Sequence, residues 1–248
     1  MPQPFEIVQE MDVEATPEEV WDAIATGPGM DSWFLGHMEI EPRQGGEVKW
    51  TMGETMPATV TTWDPPNRIV TTGTQFEDGS RHQFDYTVTE REGGHSNVRY
   101  VHSGMLGGDW EAEYEAMQEG DPMYFFKLAQ YLKHFKGRFA TTVEMFGPVV
   151  PDEDQVMAGY RRALGLGDDV AVGDRVSLTP EGVAPIEGEI DCISQHFLGV
   201  LSDDAIYRFI HAYTGATMLG HHFFAPDANK EQLERDWTSW LDRTFAQE

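Results

Sequence analysis

The chain has 248 residues, 40% hydrophobic and 12% aromatic, enough apolar material for two modest packed domains. Its 43 acidic and 17 basic residues leave a net charge of −26, a field that repels phosphate backbones and anionic lipid. Neither nucleic acid nor a membrane is therefore expected as a partner.

No run approaches the ~20 apolar residues of a membrane span. The start, Met1-Pro2-Gln3-Pro4, lacks a basic, apolar leader, and the one cysteine, Cys192, suits a reducing compartment. A cytoplasmic protein is expected.

Residues 5–13 alternate well enough for a strand. Thr16-Pro17-Glu18-Glu19 opens a helix: Thr16 caps, Pro17 suits the first position, and Glu19 completes a capping box. Gly27-Pro28-Gly29 breaks it, and residues 30–34 read as a short second helix. Strands are then expected at 37–41, 47–52, 58–63, 68–74, 81–90 and 97–103. Gly45-Gly46, Gly53, Asp64-Pro65-Pro66-Asn67, Asp78-Gly79 and Gly93-Gly94 mark the turns. This describes an antiparallel meander. A helical stretch over 109–136 follows, with an interruption expected near Gly120-Asp121-Pro122. Its second half spaces Phe125, Leu128, Leu132 and Phe135 along one face. A meander cannot bury its inner face alone, so this helix must lie across it.

The motifs in this order resemble the START-related helix-grip superfamily (SRPBCC), in the branch named for activators of a heat-shock-protein ATPase. They are Thr16 to Ile24 (TPEEVWDAI), Trp33-Phe34, Gly45-Gly46-Glu47-Val48, Asp64 to Val70 (DPPNRIV) and Val98 to Gly104 (VRYVHSG). The likeness covers residues 5–137. It implies an α+β helix-grip fold with an apolar cavity between sheet and long helix, and no fixed catalytic set. A chaperone contact is a further implication, and a homo-oligomer contact stands beside it as an expected alternative. The acidic segment Trp110-Glu111-Ala112-Glu113-Tyr114-Glu115 is longer than the pattern.

The remainder echoes the first part at offsets near ~130 residues. Gly173-Asp174-Arg175-Val176 follows Gly46-Glu47-Val48, and residues 188–193 follow 58–63. The division is placed at 1–147 and 148–248, with the second part a shortened copy of the first; an α+β extension is the alternative.

Side chains alternate along strands, so Val98, Tyr100 and His102 share one face, as do His82, Phe84 and Tyr86. Aromatic faces carrying one histidine each have the composition of a ligand site. Trp33, Trp50, Met52, Trp63, Phe125 and Leu128 are expected to complete the lining, with His82 and His102 as its polar contacts. The function expected is binding of an apolar or aromatic small molecule. An enzyme of cyclase or hydrolase type, with His82, His102 or Tyr86 as acid or base, and a co-chaperone-like interaction module are the alternatives. The chain shows no nucleophile elbow, Walker loop, glycine fingerprint or His-Glu-x-x-His sequence, so no cofactor, metal or catalytic residue is assigned.

Overall fold

The computed structural model describes residues 2–108 and 110–246. They divide into two compact units, Met1–Phe139 and Ala140–Glu248.

The first unit opens with β1 (Gln3–Val13), then α1 (Pro17–Ile24) and the short α2 (Gly27–Met30). The capping box forms as expected: Glu19 N donates to Thr16 Oγ1 at 3.3 Å, and Thr16 N donates to Glu19 Oε2 at 2.9 Å. The second helix differs from expectation. It begins at Gly27 because Thr26 Oγ1 accepts from Gly29 N at 3.1 Å and Pro28 sits in the first turn, where a missing N–H costs nothing. The meander follows as β2 (His37–Ile40), β3 (Glu47–Met52), β4 (Glu54–Asp64), β5 (Arg68–Gly73), β6 (Arg81–Arg91) and β7 (His95–Leu106). The sheet order is β1-β7-β6-β5-β4-β3-β2, antiparallel throughout, so the first strand pairs with the last.

The long helix α3 (Trp110–His134) runs unbroken through Pro122, contrary to the expected interruption. Proline removes one backbone bond and hinders the residue before it. Here the buried side chains Met123, Phe125, Leu128 and Leu132 all follow Pro122 and anchor the second half of α3, which packs on β1 and β7. Before Pro122, Asp121 and Glu113 reach His102 and His82 of the sheet and hold the first half in line. Sheet and helix together form an α+β helix-grip fold.

The second unit runs β8 (Thr141–Val149), α4 (Glu153–Leu164), β9 (Arg175–Leu178), β10 (Ile186–Ile193), β11 (Phe197–Leu201), β12 (Ala205–His211), β13 (Ala216–Phe223) and α5 (Lys230–Thr244). Its sheet order is β8-β13-β12-β11-β10-β9. The connectivity is that of the first unit with one strand and one short helix removed: strand, helix, meander, closing helix, and first strand paired to last. The unit boundary precedes the expected 147/148 because β8 hydrogen-bonds along β13, from Thr141↔Phe223 to Val149↔Ala216. The core is aromatic, with Tyr160, Phe209, Trp237 and Trp240 packed together. Tyr160 ties α4 to the sheet, its hydroxyl lying 3.1 Å from both Ile210 O and Met218 N.

Candidate functional site

In the first unit, β6 and β7 bring the two expected aromatic faces together. Register places Phe84 opposite His102 and Tyr86 opposite Tyr100. Phe84 stacks on the His102 ring at 4.4 Å, Tyr86 lies 4.9 Å from Tyr100, and Phe125 of α3 stacks on Tyr100 at 5.7 Å. Phe5 of β1 meets His102 edge-on at 5.0 Å. Gly104 stands across from both Phe5 and His82. A methyl group there would strike Arg81 O and press on the Phe5 ring, so glycine lets these neighbours close in.

The two histidines are joined. His82 Nδ1 lies 2.9 Å from His102 Nε2, and His102 Nδ1 lies 2.8 Å from Asp121 Oδ2 of α3. At the other end, His82 Nε2 lies 3.4 Å from Glu113 Oε1 on the first turns of the same helix. The four groups form one file from α3 through the sheet and back to α3. Its Glu113 end has a side chain 34% exposed, whereas Asp121 at the other end is 13% exposed and His102 beside it 5%, so the file opens toward solvent at Glu113.

The electrostatics follow from burial. Desolvation, and then the charge of His102, push His82 down to about 4, against the pull of Asp121 and Asp78. Desolvation and the nearby Asp78 raise the Glu113 carboxyl above its ordinary range, with His102 opposing. Burial holds the Tyr86 and Tyr100 hydroxyls far above the usual phenol value. Around neutrality His82 is an uncharged imidazole, able to donate from one nitrogen and accept at the other.

Residues 14–133 match the family model described as Activator of Hsp90 ATPase homolog 1-like protein. The matched stretch lies within the N-terminal unit, which is similar to that family. No curated protein matches it. Among solved structures, protein MLL2253 from Mesorhizobium loti is 21% identical with a TM-score of 0.44, over 52% of this chain and 96% of that one. The Aha1 dimer from Colwellia psychrerythraea is 19% identical with a TM-score of 0.46, over 54% and 99%. CalU16 from Micromonospora echinospora is 16% identical with a TM-score of 0.41, over 53% and 85%.

Within this unit, His82, Phe84, Tyr86, Tyr100, His102 and Phe125 form one cluster. The other expected lining residues make contacts of their own. Trp33 is 1% exposed and its indole donates to Ala23 O at 2.9 Å. The half-buried Trp50 donates to Leu35 O at 2.7 Å. Trp63 packs edge-on against Trp21 at 4.9 Å. Met52 sits at the β3–β4 turn, and Leu128 is fully buried under α3.

Sequence reasoning missed Asp121, Glu113 and Phe5. The signal was available: 113 and 121 are eight residues apart, which an uninterrupted helix places on one side. In the second unit, His221 packs against Trp237 at 4.4 Å, while the next residue, His222, is also buried. Among the described residues, no group of three or more His, Cys, Asp or Glu side chains is arranged to hold a metal ion. No helix among them is long and apolar enough to cross a membrane.

Proposed function

We propose that the N-terminal unit binds an apolar or aromatic small molecule in a cavity between its sheet and α3. A ring system lies against Phe84, Tyr100 and Phe125, and a hydroxyl or carbonyl meets His82 Nε2. The carrying observation is the ring network from β1, β6, β7 and α3, which ends in one imidazole nitrogen aimed at the half-exposed Glu113. His102 has both ring nitrogens engaged by His82 and Asp121, so it positions His82 while His82 contacts the ligand.

In this reading Tyr86 and Leu128 form the floor, and Trp33, Trp50, Met52 and Trp63 stiffen the wall on the β2–β4 side. The second unit, from Ala140 onward, is a shortened copy of the same module, and the protein works in the cytoplasm. The family description names an ATPase activator; a chaperone-directed role rests on that description alone.

Two or three buried apolar groups at about 1.5–3 kcal/mol each give about 3–9 kcal/mol before the cost of association, so a dissociation constant weaker than micromolar is expected. The test is a fluorescence titration with the neutral dye N-phenyl-1-naphthylamine. Saturable one-to-one binding is expected, weakened roughly tenfold or more by Phe84→Ala. Absence of binding, or binding indifferent to Phe84, contradicts the reading.

A further inference from the structure

The file of four groups has a chemical direction that ligand binding alone does not need. The hydrogen-bond network assigns the tautomers. Asp121 is acceptor-only when ionised, so His102 Nδ1 carries the proton between them at 2.8 Å. With His102 neutral, its Nε2 is a lone pair, and the facing His82 Nδ1, 2.9 Å away, must then be the donor. That leaves His82 Nε2 as a bare lone pair at the half-exposed end of the file. The Glu113 oxygen 3.4 Å from it marks where an acidic group of a ligand would lie.

We propose that Asp121, His102 and His82 form a proton relay with His82 Nε2 as general base, acting on an aromatic molecule that carries a weakly acidic hydroxyl, of the phenol or enol type. This rests on the small-molecule reading above. The ligand O–H bond breaks as the His82 Nε2–H bond forms. His82 then releases its Nδ1 proton to His102 Nε2. The ligand oxygen is left with a negative charge, and the positive charge comes to rest on His102, two hydrogen-bonded groups away and against the Asp121 carboxylate. No other reactant is consumed. Asp121 and His102 act through His82 and are positioning residues; His82 alone touches the ligand.

The surroundings favour this direction. Asp121 and Glu113 come from α3, Asp78 from the turn before β6, Phe5 from β1, Tyr100 from β7 and Phe84 from β6. The Asp121 carboxylate, 2.8 Å from His102 Nδ1, stands at the inner end of the file, so a proton passed inward arrives beside a negative group. Asp78 is itself fixed, accepting from Ser80 N at 2.9 Å and Ser80 Oγ at 2.6 Å. Burial keeps His82 uncharged near neutrality, as a base must be.

The experiment uses the full chain, with 4-nitrophenol as probe and 4-nitroanisole, the same ring without an acidic proton, as comparator. At a pH where free nitrophenol is mostly neutral, binding is expected to raise the ionised fraction of the bound probe above that of the free probe, read as phenolate absorbance. Asp121→Asn should cut the ionised fraction of bound probe by about tenfold or more, and His82→Phe should abolish ionisation. If both probes bind and nitrophenol stays neutral, the relay is wrong and the small-molecule reading stands. If neither binds, both fall. Imidazole 15N spectra of the unsubstituted chain give a second check that needs no variant to fold. Both rings should be Nδ1-protonated at neutral pH. An Nε2-protonated His82 ring at neutral pH would overturn the assignment.

Discussion

Asp121 Oδ2 accepts from His102 Nδ1 at 2.8 Å, with both side chains largely buried, and this joins the middle of α3 to the centre of the sheet. The bond sits one residue before Pro122, where the helix is intrinsically weakest. Asp121→Asn keeps the shape but replaces a charge-assisted partner with a neutral one. A loss of about 1–3 kcal/mol is expected, read as a lower urea midpoint at unchanged slope. An unchanged midpoint would show that α3 is held without this contact.

Acid should destabilise the protein through His82. Its folded value, about 4, lies below its ordinary 6.5, so between those limits the unfolded chain binds a proton that the folded chain refuses. The stabilisation is present above pH 6.5 and is lost as pH falls toward 4, at no more than about 1.4 kcal/mol per pH unit. Glu113, raised by burial, acts in the opposite sense, so the comparison of unsubstituted chain with His82→Phe isolates the effect. The melting temperature of the variant should fall less between pH 6.5 and 4. Parallel curves would contradict the buried neutral imidazole.

The second unit carries a buried ion pair. Arg208 of β12, 0% exposed, donates to Asp191 of β10 at 2.9 and 2.7 Å across Gly199 of β11, where a methyl group would run into both side chains. Removing one partner leaves a buried charge alone. Asp191→Ala should cost about 3–5 kcal/mol, whereas replacing the pair together by Leu and Met should cost much less. Denaturant unfolding of the single and double variants checks this, and equal losses would mean that the pair itself is the source of stability.

At the start of α1, Thr16→Ala removes one half of the capping box and should cost about 1 kcal/mol in thermal unfolding. Glu19 also accepts from Lys136 Nζ at 2.9 Å, so Glu19→Ala should cost at least as much as Thr16→Ala.

Much of this was legible because the cues are local. The alternation of residues 81–90 and 97–103 gave the two strands and the shared face of His82, Phe84, Tyr86, Tyr100 and His102; Thr16 and Glu19 gave the first helix. The constant offset between Gly46 and Gly173 pointed to strands that occupy equivalent places in two sheets, β3 and β9. What was not legible depended on tertiary override. Gly120 and Pro122 argue locally for a break, and tertiary contacts on either side keep α3 whole: Asp121 with His102 before the proline, and burial of Met123, Phe125 and Leu128 after it. Because the break was expected, Glu113 and Asp121 were not seen on one helix, and the histidines lost their partners in the reading. The hydrogen bonds of Trp33 and Trp50 were not legible either: composition does not say which backbone carbonyl an indole N–H serves.

The central claim, a small-molecule site on the β6–β7 face under α3, is tested most directly by chemical-shift mapping on the isotopically labelled full chain titrated with 4-nitroanisole. Saturable shifts concentrated on the side chains of Phe84, Tyr100, His82 and Phe125 are predicted. Saturable shifts confined to the β2–β4 side or to the second unit, or none at all, would contradict it.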